Sequence, residues 1–414
     1  MCEDPVRYGR GGDVMRSGLD EFVAVGLGFL VIAVVAVALY RPRIQRSTSY
    51  QATTVPLANI MDVGFIILSP AIVLIAGFRA PFVMLAICLV AIAAGFAIAY
   101  NVRHYEPIEG SDRNADRIEG TAEWALLVAS MVNIAYYALL LTALILLPLE
   151  AFTTSRQGVL AAAILAIVVL VGVSGGMGRL NRLGDRTTAF NLAAVIGVVV
   201  AFSVFNVQEW LGGRWVLGDS PSIDTDGVRK MIGLFAIVQG FEASRYIGVR
   251  FGAQERITTM RVAQVISSVV FVVFILSLLV LFLPPSVKSD GTAVFIVSQR
   301  IGGAMPWLLL VAAIGSQTSA IIGATSSRSD MLVEHKVPRP ATFLVILVPA
   351  IVLVLVADVT TAVNLASRVF AAYFLIQIAL AAMLARRQRN IAAVAGFVLI
   401  GLVMATILIF GLPL

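Results

Sequence analysis

Stretches of roughly 20 apolar residues follow one another along this chain with only short polar gaps between them. A lipid bilayer is the solvent such a pattern fits, because a hydrocarbon core about 30 Å thick is crossed by about 20 residues of α-helix. Twelve crossings are predicted, over residues 20–40, 57–78, 81–101, 122–147, 157–177, 187–206, 228–248, 262–283, 306–326, 341–357, 361–385 and 391–412. Backbone groups in lipid find no water to bond, so each crossing is expected to be helical and the fold class all-α and polytopic. Of the 414 residues 59% are apolar and only 13% charged, against about a quarter charged in a soluble domain. A soluble core cannot absorb these stretches.

The net charge of +6 comes from arginines that lie singly or in short runs between apolar stretches. No basic stripe forms, so no nucleic-acid partner is expected, and the charges read as topology signals. With both termini outside, the majority of the 30 Lys and Arg fall on the inner side, as the positive-inside tendency requires. Arg41, Arg43 and Arg46 mark the first inner connection and Arg386, Arg387 and Arg389 the last. The expectation is a protein integral to the cytoplasmic (inner or plasma) membrane, N-terminus and C-terminus outside. Residues 1–19 mix Glu3, Asp4 and Asp13 with Arg7, Arg10 and Arg16 and read as a tail, not a removable signal peptide. Cys2 and Cys88 build neither a disulfide framework nor a metal site, and no cofactor is expected beyond a coupling ion.

Two crossings contain a small residue beside a carboxylate: Met61-Asp62-Val63-Gly64 and Gln239-Gly240-Phe241-Glu242. Both are predicted helix breaks. From one to the other is five helices, an odd number, so the second set of five must be inserted upside down relative to the first. The expected organisation is a first repeat over 57–206 and an inverted second repeat over 228–385. An extra helix over 20–40 and another over 391–412 lie outside this core. Inverted repeats that each open on an interrupted helix place substrate and ion near the bilayer midplane of a secondary transporter.

A carboxylate at the bilayer centre costs about 2.5 to 3.5 kcal/mol on insertion scales, so Asp62 and Glu242 need partners. One reading gives each a cation: a substrate ammonium, Na⁺ or a proton. The other makes them structural, Glu242 pairing with Arg245 and Asp62 with a neighbouring hydroxyl. Near the middle of the fourth crossing stand Asn133, Tyr136 and Tyr137, of which one tyrosine is expected to face the site and the other to pack between helices.

The run Asn59 to Pro70 resembles the first core helix of the leucine-transporter (LeuT) fold, shared by neurotransmitter:sodium symporters and the amino acid-polyamine-organocation (APC) superfamily. Gln239-Gly240-Phe241-Glu242-Ala243 resembles the broken sixth core helix of amino acid and polyamine permeases, and the additional first helix resembles the sodium:solute symporter branch. Gly315-Ser316-Gln317-Thr318-Ser319 resembles the pattern by which sodium-coupled members bind Na⁺. The resemblance implies a candidate Na⁺ site from carbonyls of Ala58, Met61 and Gly315 with the hydroxyls of Thr318 and Ser319. It implies a substrate site from Asp62, Val63, Gly64, Tyr136, Tyr137, Gly240, Phe241 and Glu242. Where relatives carry a second-sodium Asn this chain has Phe65, and where they carry an outer-gate Arg it has Leu68, with Arg368 a candidate substitute.

The expected function is Na⁺-coupled symport of a small amine, amino acid-like or other nitrogen-bearing solute by alternating access. A proton-coupled permease using Asp62 and Glu242 is the alternative. An enzyme is disfavoured because His104 and His335 both fall in inner loops with no triad or metal spacing. A channel lacks a filter or charge ring, and a transporter-derived sensor lacks a signalling domain.

Overall fold

The computed structural model describes residues 18–62, 64–147, 149, 151–175, 177–215, 222–248, 251–279 and 293–412. The first helices are α1 (Gly18–Leu39), the short α2 (Pro42–Gln45), α3 (Thr48–Ile60), α4 (Gly64–Ala76) and α5 (Ala80–His104). The long α6 (Arg113–Leu146), α7 (Thr154–Val173), α8 (Met177–Leu211) and α9 (Thr225–Ile232) follow. After two 3-10 segments, Phe235–Val238 and Phe241–Ile247, come α10 (Ala253–Leu278), α11 (Ala293–Ile301) and α12 (Met305–Glu334). The chain closes with α13 (Arg339–Val356), α14 (Val359–Arg387) and α15 (Ile391–Phe410). All regular structure among the described residues is helical.

Among the described residues, ten stretches are long and apolar enough to cross a membrane. The twelve expected crossings reconcile with them through the breaks. α4 and α5 are joined by a single turn into one apolar stretch, Gly64–Ile108. The crossing through Gly240 is cut into pieces too short to qualify on their own. The helix α11 was not expected, because its nine residues are too few to span.

Small residues set how closely these helices pack. A Cβ on Gly28 of α1 would lie 3.0 Å from the Ala201 side chain of α8, and one on Gly197 of α8 would lie 2.4 Å from Ile32. The first helix is thereby docked on α8 rather than inserted between the broken helices. Elsewhere α6 runs between α14 and α12, placing its middle beside both breaks.

Candidate functional site at the two helix breaks

α3 ends where the Met61 N–H reaches back to the Leu57 carbonyl, and Met61 itself leaves helical geometry at φ −90°, ψ 57°. α4 begins at Gly64, whose N–H donates to Asp62 Oδ1 at 2.7 Å. An Asp just before a helix satisfies amide groups that have no intrahelical acceptor, which is why the break is placed here. Val63 lies outside the described residues. A Cβ on Gly64 would sit 2.5 Å from Tyr136 Oη and 2.7 Å from Asp62 Oδ1, so glycine lets the tyrosine approach the break.

The second break turns on Gly240, at φ 114°, a left-handed conformation that a side chain disfavours. Its Cα also presses on the first broken helix: a Cβ there would lie 2.6 Å from the Asn59 carbonyl carbon. The two interruptions therefore touch. The Gly240 N–H donates to Glu242 Oε2 at 2.8 Å, and Arg328 of α12 is close enough to attract that carboxylate's charge. Phe241, fully buried, stacks on Phe374 of α14 with ring centroids 5.0 Å apart.

α6 joins the breaks. Gln239 Nε2 donates to Asn133 Oδ1 at 3.1 Å and Asn133 Nδ2 donates to Tyr137 Oη at 2.7 Å, with the Tyr137 hydroxyl standing beside the Asp62 carboxylate. Both amide donors point from the second break toward Tyr137, whose hydroxyl lies by the first. Gln239 Oε1 is buried without a hydrogen-bond partner. The expectation that one tyrosine merely packs is corrected, since both hydroxyls lie at the first break, the two rings 5.6 Å apart.

The Glu242–Arg245 pairing is replaced by another. Arg245 bonds Glu119 of α6 at 2.9 Å and Gln377 of α14 at 3.1 Å, and Gln377 Nε2 closes the triangle on Glu119 at 2.9 Å. Beside it Arg256 of α10 holds Glu106 at 2.9 and 2.5 Å and the Arg245 carbonyl at 2.8 Å. Arg368 donates to the Gly411 carbonyl at 2.6 Å, tying α14 to the end of α15.

Around the candidate ion residues, Ser319 and Thr188 of α8 are 3.3 Å apart at their hydroxyls, and Asn191 Nδ2 donates to the Ala58 carbonyl at 3.4 Å. Asn191 Oδ1 is buried without a partner. Gly315 sits under Phe190, 2.4 Å from where a Cβ would be. Thr318 is half-buried one position away, and Met61 contributes its backbone at the break. The structure thus adds two α8 side chains, Thr188 and Asn191, that the α12 motif alone did not reveal. Hydroxyls, carbonyls and an amide oxygen are the ligand types that a hard cation takes. Phe65 lies between Phe271 and Phe274, with centroid distances of 4.3 and 5.4 Å.

An all-α bundle with two touching helix breaks, bridged by polar side chains at membrane depth, defines a secondary-transporter architecture. A family model described as APC superfamily transporter matches residues 42–411, and the chain belongs to that superfamily. A protein of Aquifex aeolicus (strain VF5), itself described as uncharacterized, is 26% identical over 384 residues, covering 89% of this chain and 92% of its own. The fold is similar to that of a Na⁺-coupled sialic acid symporter solved in a substrate-bound outward-open state. That match has a TM-score of 0.50 and 14% identity, covering 96% of this chain and 98% of that one.

Proposed function

We propose that this APC-superfamily transporter is a Na⁺-coupled symporter of a small nitrogen-bearing solute, binding substrate between Asp62 and Glu242. The observation that carries this reading is the hydrogen-bonded chain from Gln239 through Asn133 to Tyr137, which ends beside Asp62. At the first break the acceptors are the Asp62 carboxylate and the unpartnered Gln239 Oε1, while Arg328 supplies positive charge on the Glu242 side. A protonated amine supplies donors only. Sodium coupling is supported by the oxygen groups of Ala58, Thr188, Asn191 and Ser319 gathered where α3, α8 and α12 meet. Binding at one junction then favours the arrangement of the first broken helix that the substrate also needs.

Proton coupling is the second reading. Asp62 and Glu242 are only 6% and 7% exposed and each accepts from a backbone amide rather than holding a guanidinium. Uptake of radiolabelled amines and amino acids into proteoliposomes separates the two. An inward Na⁺ gradient should drive accumulation, Asp62→Asn should lower the initial rate by about 10- to 100-fold, worth about 1.4 to 2.7 kcal/mol, and Thr318→Ala should raise the Na⁺ concentration for half-maximal rate. Accumulation driven by a proton gradient alone transfers the coupling role to the carboxylates. Accumulation indifferent to both gradients removes coupling altogether. Both termini are proposed to face outward from the cytoplasmic membrane, which reporter fusions at each end test.

A further inference from the structure

Away from the breaks, a cavity of about 130 Å³ opens between α5, α10 and α15, lined by Phe96, Ala99, Tyr100, Arg103, Arg261 and Phe397. Four of these recur at helical spacing on α5, so one face of that helix forms the floor, with Ala99 the small residue that hollows it. Phe397 meets Tyr100 edge to face at 5.2 Å, and the Arg261 guanidinium lies 5.1 Å over the Phe96 ring. Arg103, in the last turn of α5, stands at the mouth.

Three other arginines at this end of the bundle are neutralised within the protein. Arg245, Arg256 and Arg387 each hold a carboxylate, from Glu119, Glu106 and Asp112 respectively. Arg103 and Arg261 are exposed, and neither has a carboxylate partner among the described residues; Arg103 donates only to the Gln254 side chain, at 3.2 Å. Arg261 follows the first residue of α10, Ala253, by eight positions, about 12 Å along the helix. A lipid-facing guanidinium at that depth is costly unless it reaches along apolar surface to a counter-charge. Phe96, 51% exposed beneath it, supplies that apolar surface. The geometry points to an anionic phospholipid as the counter-charge. Its phosphodiester sits between Arg103 and Arg261, in the fork geometry a guanidinium offers to phosphate, and one acyl chain runs along Phe96. The charge distribution assigns this end to the cytoplasmic side, whose leaflet carries anionic lipid. The site is independent of substrate and coupling ion.

Native mass spectrometry of the full chain, released from micelles doped with phosphatidylglycerol or phosphatidylcholine, tests it. Phosphatidylglycerol is expected to remain bound where phosphatidylcholine does not, and the R103Q/R261Q double variant should lose at least fivefold of that retention. Equal retention of both lipids by the unmodified protein, or undiminished phosphatidylglycerol on a folded double variant, overturns the proposal. Should the double variant not fold, the unmodified protein decides: its melting temperature must rise in phosphatidylglycerol vesicles relative to phosphatidylcholine vesicles, and no rise overturns the site. Displacement of phosphatidylglycerol by millimolar inorganic phosphate overturns the lipid assignment in favour of a free anion.

Discussion

The first break interrupts two α-helices of 13 residues each, whereas the second interrupts an eight-residue α-helix and two 3-10 segments. Three-ten geometry bonds its backbone less well and seldom persists, so the second crossing is held more by its surroundings than by itself. Ser367 of α14 shows this: its hydroxyl accepts from the Ala236 N–H at 2.9 Å and donates to the Gly233 carbonyl at 2.6 Å, serving backbone groups that a regular helix would have paired. Arg256 does the same for the Arg245 carbonyl. The first broken helix is a self-supporting rail, capped by its own Asp62. The second is a segment strung between side-chain anchors, and such segments supply the low-stability end of a protein's motions.

The contrast is sharpest at the two glycines. Gly240→Ala is expected to abolish uptake and lower the melting temperature by several degrees, because the new methyl meets immovable Asn59 backbone at a left-handed φ. Gly64→Ala meets only the Tyr136 hydroxyl and the Asp62 side chain, which can yield, so a folded protein with reduced uptake is expected. Paired melting and uptake assays on the two variants would break the comparison if Gly64→Ala proved the more damaging. Next in size, Arg245→Met leaves the buried Glu119 without a counter-charge, held only by the Gln377 amide, and should cost about 3 to 5 kcal/mol in a denaturation titration, with E119Q/R245M recovering part of the loss. A double variant no better than the single would mean that the anchor works through packing. Smallest, Phe241→Leu removes the stacking on Phe374 and should cost about 1 kcal/mol, read as a modest drop in substrate affinity or melting temperature.

The bundle was legible because lipid leaves a chain few options, and the breaks because glycine beside a carboxylate has little other reason to stand inside an apolar stretch. Asp62, Gly64, Gly240 and Glu242 were visible on those grounds. Their partners were not: Gln239 meets Asn133 across 106 positions and Asn191 meets Ala58 across 133, distances that no periodicity encodes. A weaker signal was present, since Glu119, Asn133, Asn191 and Gln239 are polar residues in or beside predicted crossings, and such residues rarely lack a task there. What the chain order could not say is which of them would meet. One reading matched Arg245 to Glu242 by proximity along the helix, yet Arg245 bonds Glu119 and Gln377 of neighbouring helices while Glu242 turns back to the Gly240 N–H.

The amide donors of Gln239 and Asn133 run one way, toward Tyr137 beside Asp62, and so thread the second interrupted helix to the first through α6. A shift of Gln239 pulls on the Asn133 amide, and through it on the hydroxyl that stands beside Asp62. Displacement of one interrupted helix is thereby passed to the other through side chains of α6 as well as through the direct approach of Gly240 to Asn59.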